Sequence, residues 1–245
     1  MNKTKLERFI LKYNLNDNVD SVKWCIKDNK LFTSFSTNDR SVAGNVSVDN
    51  FNFESIIFGV YSTKQLQRLL NVLGDNIDLS LLKVDKKAIS LRISDSIASV
   101  NFTLADLSII SDPPKVSKDL LSQPDAIIDI DNKFIDAFIK GKNALPDADT
   151  FTILDDGTND NLKIVIGYSS TINTNKVTIL VPARDKLFPD SLSFNAEIFK
   201  EILLANKECM SATLRISCAK GGLAYISFKM DDYFAEYYLS AVQSN

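Results

Sequence analysis

Two hydrophobic rhythms take turns along the chain, and their alternation has a longer period of its own. Leu6, Phe9, Ile10 and Tyr13 recur at the i, i+3, i+4, i+7 spacing that places side chains on one face of a helix. Leu66, Leu69, Leu70 and Leu73 repeat that spacing, and the stretches "KFIDAFIKGK" from Lys133 and "AEIFKEILLANK" from Ala196 carry similar stripes. After each helical stretch come runs such as "VKWCIK", "KLFTSFS", "IDLSLLKV", "AISLRI" and "ASVNFTL", whose apolar and polar residues alternate with the period of a half-buried strand.

Together these form a unit of one short strand, a polar cap residue, one amphipathic helix and three strands joined by turns, and it occurs four times. The first copy runs from "KTKLERFILKY" to "AGNVSV" and lacks a clear strand before its helix. The second starts at "FESIIFGVY", has Ser62 as expected N-cap and Gly74 as expected C-cap of a helix from Thr63 to Leu73, and ends at "ASVNFTL". The third starts at "AIIDI", caps at Asp131 or Asn132, and ends at "KVTILVP". The fourth starts at "DSLSF", caps at Asn195, and ends at "AEYYLSAV". Turn residues such as "VDKK", "DDG" and "KGG" separate strand pairs at matching places. Between copies two and three lies "ADLSIISDPPKVSKDLLSQPD", with three of the six prolines and little periodicity, which reads as a connector. The predicted architecture is therefore α+β: an N-terminal domain over residues 1–105, a connector over 106–124, and a similar C-terminal domain over 125–245, each of two modules.

Composition narrows the chemistry. The 245 residues include no histidine, which removes the commonest general base, the Ser-His and Cys-His pairs and the commonest transition-metal ligand. Neither GxGxxG nor GxxxxGK[ST] occurs, and "GKN" at Gly141 lacks the other residues of a phosphate loop. "DDGTNDN" from Asp155 lacks the ligand spacing of a calcium loop and reads as a hairpin turn. The "DID" at Asp129, which a metal-using enzyme could employ, reads as a strand end followed by a helix cap. Three widely spaced cysteines, Cys25, Cys209 and Cys218, fit reduced thiols better than a disulfide framework or a metal cage. We expect no enzyme, no cofactor and no metal. Apolar runs fall far short of the ~18 residues of a membrane span, and "MNKTKLERF" has no signal-peptide core, so an intracellular protein is expected.

Charge is segregated by element. The formal net charge is −3, yet the helical stretches lean basic. Lys5, Arg8 and Lys12 share a face opposite the first apolar stripe. Lys64 and Arg68 lie four apart, with no acid between Ser62 and Gly74 to pair with them. Lys133, Lys140 and Lys142 follow in the third stretch, and Lys200 and Lys207 in the fourth, where Glu197 and Glu201 break the pattern. On a single helix such lysines would be read as solvated. Four helices presenting them on one surface would make a sequence-neutral track for a phosphate backbone.

The fourfold module, "GVYSTKQLQRLLNVLGDNIDLSL" and "ADLSIISDPPK" resemble the DNA polymerase sliding clamps of T4-type bacteriophages and, more distantly, the proliferating cell nuclear antigen of eukaryotes. The resemblance covers nearly the whole chain. It implies a homotrimeric ring of head-to-tail subunits that encloses duplex DNA without regard to sequence, tethers the replicative DNA polymerase and is opened by an ATP-dependent clamp loader. It also implies action in the cytoplasm, that of the host cell if the protein is viral, without a membrane partner. By position, the strand holding Ile97, Val100 and Phe102 is expected to pair with one holding Val177, Ile179 and Val181 of the next subunit. A groove for partner peptides is expected from Val42, Leu107, Ile109, Ile110, Pro113 and Tyr237. The rival reading is a β-rich viral structural or assembly protein, its repeats serving subunit packing.

Overall fold

The computed structural model describes residues 1–116, 121–157, 160–171, 173–184, 191–209 and 211–242. Its elements follow in the order α1 (Lys3–Asn14), β1 (Val22–Lys27), β2 (Lys30–Ser36), β3 (Val42–Val48), β4 (Ile56–Val60), α2 (Thr63–Leu70), β5 (Asp78–Val84), β6 (Lys87–Ser94), β7 (Ser99–Thr103), β8 (Ala126–Asp131), α3 (Asn132–Ala144), β9 (Thr150–Asp155), β10 (Asn161–Ile166), β11 (Val177–Arg184), β12 (Leu192–Asn195), α4 (Ala196–Ala205), β13 (Ser211–Ser217), β14 (Leu223–Met230) and β15 (Tyr233–Ser240). The order is four repeats of a helix followed by three strands. Strands β4, β8 and β12 lead three of the helices. The leading strand missing from the first repeat is present in miniature: Asn2 bridges Asn76, and Met1 and Ile77 exchange backbone hydrogen bonds. Two residues are too few for an alternation to show.

The chain divides into two compact units. One comprises Met1–Ser36, Gly44–Pro113 and Asp231–Phe234; the other comprises Thr37–Ala43, Pro114–Met230 and Ala235–Asn245. Their main boundary falls between Pro113 and Pro114, inside the expected connector, and two short segments change sides.

In the first unit α1 buries Leu6, Phe9, Ile10 and Tyr13, the stripe read from the sequence. Phe9 stands edge-on to both Tyr13 and Trp24, at 5.6 and 5.5 Å between ring centroids, and Trp24 leans on Phe58 of β4. Burying side chains of this size contributes roughly 1.5–3 kcal/mol apiece, so this cluster sets the position of α1 on the strands. Strands β3, β2, β1 and β4 are neighbours in that order, and β5, β6 and β7 form a separate three-stranded sheet. The sheets meet where Gly59 of β4 bridges Ala105. A Cβ on Gly59 would stand 2.7 Å from Ile110 Cδ1 and 2.8 Å from the Ala105 carbonyl oxygen, so the close approach requires glycine.

Helix α2 ends earlier than its stripe suggests. Leu73 is buried, as the pattern requires, but it sits in a turn beyond Leu70. Gly74 is not the cap; its N–H donates to Asp95 Oδ2 at 2.6 Å. Nor does the Ser62 side chain cap the helix. Ser62 takes a left-handed conformation, and the adjacent Thr63 anchors the start by donating its N–H and hydroxyl to the Asp20 carbonyl. The other three caps form from side chains: Asn2 accepts from Thr4 N–H, Asp131 from Phe134 N–H and Asn195 from Ile198 N–H.

The second unit carries β12, β9, β10, β11, β8, β13, β14 and β15 as successive neighbours. Its helices share an aromatic core: Phe138 of α3 lies 4.9 Å from Phe199 of α4 and 5.2 Å from Phe151 of β9, both edge-on. Gly141 lets α3 lie flush on β10 and β11, because a Cβ there would stand 3.0 Å from Val177 Cγ1 and 3.1 Å from Ile166 Cδ1. Asp155 opens the turn after β9 by accepting the Gly157 N–H, with Gly157 at φ +83°; residues 158 and 159 of that run lie outside the described ones. Among the described residues no helix is long and apolar enough to cross a membrane, and no group of three or more His, Cys, Asp or Glu is placed to hold a metal. Asp129 of the "DID" run pairs with Arg184 at 2.7 Å, and Asp131 is the α3 cap.

Candidate functional site

Ten basic side chains were expected to face a phosphate backbone, and the structure sorts them into three groups. Arg68, Lys133, Lys140 and Lys207 are exposed, and none has an ion-pair partner among the described residues. Lys133 and Lys140 lie seven apart on one face of α3, with Asp136 exposed between them.

The second group is exposed or half-buried but neutralised. Lys64 is paired with Asp17 from the loop after α1. Lys5 lies 2.9 Å from Asp232 Oδ2 and 3.1 Å from the Asn50 carbonyl, and the hydrogen bond from Lys5 holds the Asp232 carboxyl below its usual pKa. The Arg8 guanidinium sits 4.4 Å over the Tyr233 ring and 3.9 Å from Asp231. Lys200 is held between Glu197 and Glu201 on its own helix. Burial alone would push the Glu197 carboxyl up, but Lys200 and Lys142 outweigh it and leave that carboxyl lowered. Glu201, more deeply set, is raised by burial despite Lys200.

The third group corrects the expectation outright. Lys12 is only 3% exposed, its ammonium 5.6 Å over the Tyr233 ring. Lys142 is 4% exposed, donating to the Pro146 carbonyl at 2.8 Å and lying 3.1 Å from Glu197. Both side chains are buried, so neither ammonium is presented to solvent. The acids that neutralise α1 and α2 were missed by the sequence reading. Lys5 and Asp232 are 227 positions apart, so no local pattern announces the pair.

Two strand edges lack a partner along most of their length. Among the described residues Ser99–Thr103 pair only with β6, and Val177–Pro182 pair only with β10, β8 joining β11 at Ala183 and Arg184 alone. Ile97 is 93% exposed in the turn before β7. Val100, Phe102 and Val181 are buried in their own units, so they leave only backbone at those edges, while Val177 and Ile179 are half-buried and Leu180 is exposed. Beside β7 lies a cavity of about 290 Å³ lined by Tyr61, Gln65, Leu69, Phe102, Leu104 and Ile109. It adjoins a second, of about 370 Å³, that shares Gln65 and Leu69 and is bordered by Lys64 and Arg68.

The six residues expected to wall a peptide groove differ in exposure, each within its own unit. Val42 and Tyr237 are buried in the second unit, where the Tyr237 hydroxyl accepts from Asn206 Nδ2 at 2.9 Å. Ile110 is buried against Gly59, because the glycine opens a slot that its side chain fills. Leu107 and Pro113 are half-buried; Ile109, 65% exposed, is the one of the six that presents an open apolar surface.

No protein-family model and no curated protein sequence matches the chain. Solved structures do, and the fold they define is the mixed α/β clamp fold of repeated helix-and-strand modules in two similar domains. One of them is the crystal structure of proliferating cellular nuclear antigen from Entamoeba histolytica, with a TM-score of 0.71 over 99% of this chain and 97% of that one, at 15% sequence identity. At that identity the likeness is one of fold.

Proposed function

We propose that this protein is a DNA sliding clamp: a non-enzymatic ring that encircles duplex DNA and tethers a DNA polymerase, opened and closed by a separate ATP-dependent loader. One observation carries the reading, the correspondence of fold along essentially the whole of both chains. Three further features agree with it. Arg68 on α2, Lys133 and Lys140 on α3, and Lys207 in the turn after α4 offer exposed cations suited to weak, sequence-neutral phosphate contacts. The open edges of β7 and β11 are the kind that folded proteins pair or cover. The sequence lacks histidine and the nucleotide-binding motifs, so loading chemistry belongs to a partner.

In this reading three chains close head to tail, β7 of one pairing with β11 of the next. Each chain supplies both edges, so the contact is heterologous, and in this reading the rotation between successive chains closes it into a ring instead of an open filament. Ile97 and Leu180, exposed beside these edges, and Ile109, beside the cavity, gain cover from neighbouring chains or partner peptides. In this reading the ring acts in the cytoplasm, that of the host cell if the protein is viral. Native mass measurement over a concentration series tests the assembly. The expected species has the mass of three chains, and Leu180→Asp shifts it toward monomer. A monomer or dimer as the only species at high concentration contradicts the reading.

A further inference from the structure

On α2 two cations four residues apart differ in state: Lys64 is paired with Asp17, and Arg68 has no partner among the described residues. On α1, Lys5 is likewise paired, with Asp232, whose other oxygen accepts from Asn50 Nδ2 at 2.9 Å and is thereby oriented. Both acids come from outside the helix they neutralise, one from the loop after α1 and one from the turn between β14 and β15. Neither pair is sealed from solvent: the Lys64 and Asp17 side chains are 53% and 36% exposed, and those of Lys5 and Asp232 are 20% and 40%. Exposed ion pairs of this kind are weakly held and exchange partners readily.

Taking duplex DNA as the ligand, as proposed above, we infer that Asp17 and Asp232 are affinity-setting residues that compete with DNA phosphate for Lys64 and Lys5. A phosphate that takes either lysine must displace a carboxylate, so it gains only the difference between two similar ion pairs. The displaced carboxylate also stays beside the phosphate with its negative charge, so lysine and aspartate together neutralise little of the DNA and release few of its condensed counterions. The masked lysines therefore contribute little to the salt dependence of binding, and Arg68 contributes its full share. For a ring retained by its closure, tight phosphate contacts are a hindrance, because each must break for the ring to move. The two aspartates hold contact affinity low at Lys64 and Lys5 and leave attraction at a distance to unmasked cations such as Arg68.

Equilibrium binding of the whole protein to a short fluorescein-labelled linear duplex, followed by anisotropy across a salt series, tests this. Asp17→Asn is well suited, because Asp17 sits at φ +67°, a conformation asparagine tolerates. Asp17→Asn and Asp232→Asn should each tighten binding severalfold at low salt and steepen the slope of log affinity against log salt by up to about 0.9. Glu54→Gln removes the same charge from a pair with Lys83 of β5, off the helices, and should leave the slope at the parental value. If Asp17→Asn and Asp232→Asn match Glu54→Gln while Arg68→Glu still weakens binding, the inference is overturned and the DNA-binding role stands. If Arg68→Glu also changes nothing, the DNA-binding role fails and the inference with it.

Discussion

Helices α1 and α4 occupy equivalent places in their modules and are built alike at their ends. Each begins with an asparagine whose side chain caps it, and each is finished by a buried asparagine: Asn14 donates to the Val19 carbonyl, and Asn206 to the Ile202 carbonyl and the Tyr237 hydroxyl. They differ in how charge is managed. Lys200 of α4 is neutralised by Glu197 and Glu201 one turn away. Lys5 and Arg8 of α1 lean on Asp232 and Asp231, more than 220 positions along the chain, and on the Tyr233 ring. Both helices end nearly neutral, one by local composition and one by tertiary contact. A count of charges along a helix therefore reports composition, and only the fold decides how much of it faces outward.

The deepest test of that likeness is the core beneath each helix. Phe9→Ala and Phe199→Ala remove fully buried rings, one on each helix, that touch Tyr13 and Trp24 in one unit and Phe138 and Phe151 in the other. Each should cost about 3–5 kcal/mol in urea unfolding. A loss below about 1 kcal/mol for either would mean that the two helices are not held by equivalent packing.

The charge difference is sharpened by reversing together the four of the ten expected bases that have no ion-pair partner among the described residues. Arg68, Lys133, Lys140 and Lys207 changed to Glu should leave the apolar stripes intact and lower DNA affinity tenfold or more at low salt, with the salt slope falling by about 0.9 per lost contact. Lys12→Met and Lys142→Met should behave in the opposite way, altering stability while leaving the slope unchanged, because those ammonium groups are buried. Equal effects from the two sets would erase the distinction between exposed and engaged bases.

The smallest effect concerns α4 alone. Glu197 has its carboxyl lowered from the usual 4.5, so its contribution to stability is present above that value and is lost as pH falls through the lower folded pKa. Its side chain is 46% exposed, and screening limits the contribution to under about 1 kcal/mol. Glu201, raised by burial, works in the other sense: its contribution is present below 4.5 and is lost as pH rises through the raised value. Glu197→Gln should therefore destabilise slightly at neutral pH and become indistinguishable from the parent in acid. A destabilisation that persists unchanged into acid would mean that Glu197 acts by packing.

Much of the fold was legible because it rests on local periodicity. The stripe Leu6, Phe9, Ile10, Tyr13 is buried as read, and Asp131 and Asn195 cap as read. The misreadings fall where a distant backbone competes with a local rule. Ser62 looked like a cap, but the Asp20 carbonyl holds Thr63 instead; Gly74 looked like a helix stop, but Asp95 takes its N–H. The candidate site was legible only in part for the same reason. Lysine and arginine positions are in the sequence, but Asp17 beside Lys64 and Tyr233 under Arg8 are products of the fold. Ile110 shows the converse, an apolar residue in a polar segment whose partner is the missing side chain of Gly59.

Topological retention on DNA tests the clamp account most directly. The protein is incubated with a linear duplex whose open ends allow a ring to thread, the ends are then blocked by bound protein, and the complex is washed at high salt to strip electrostatic contacts. The account expects retention only when both ends are blocked, and release when the duplex is cut between them. Equal release from open and blocked duplexes would contradict encirclement, whatever the affinity measured at low salt.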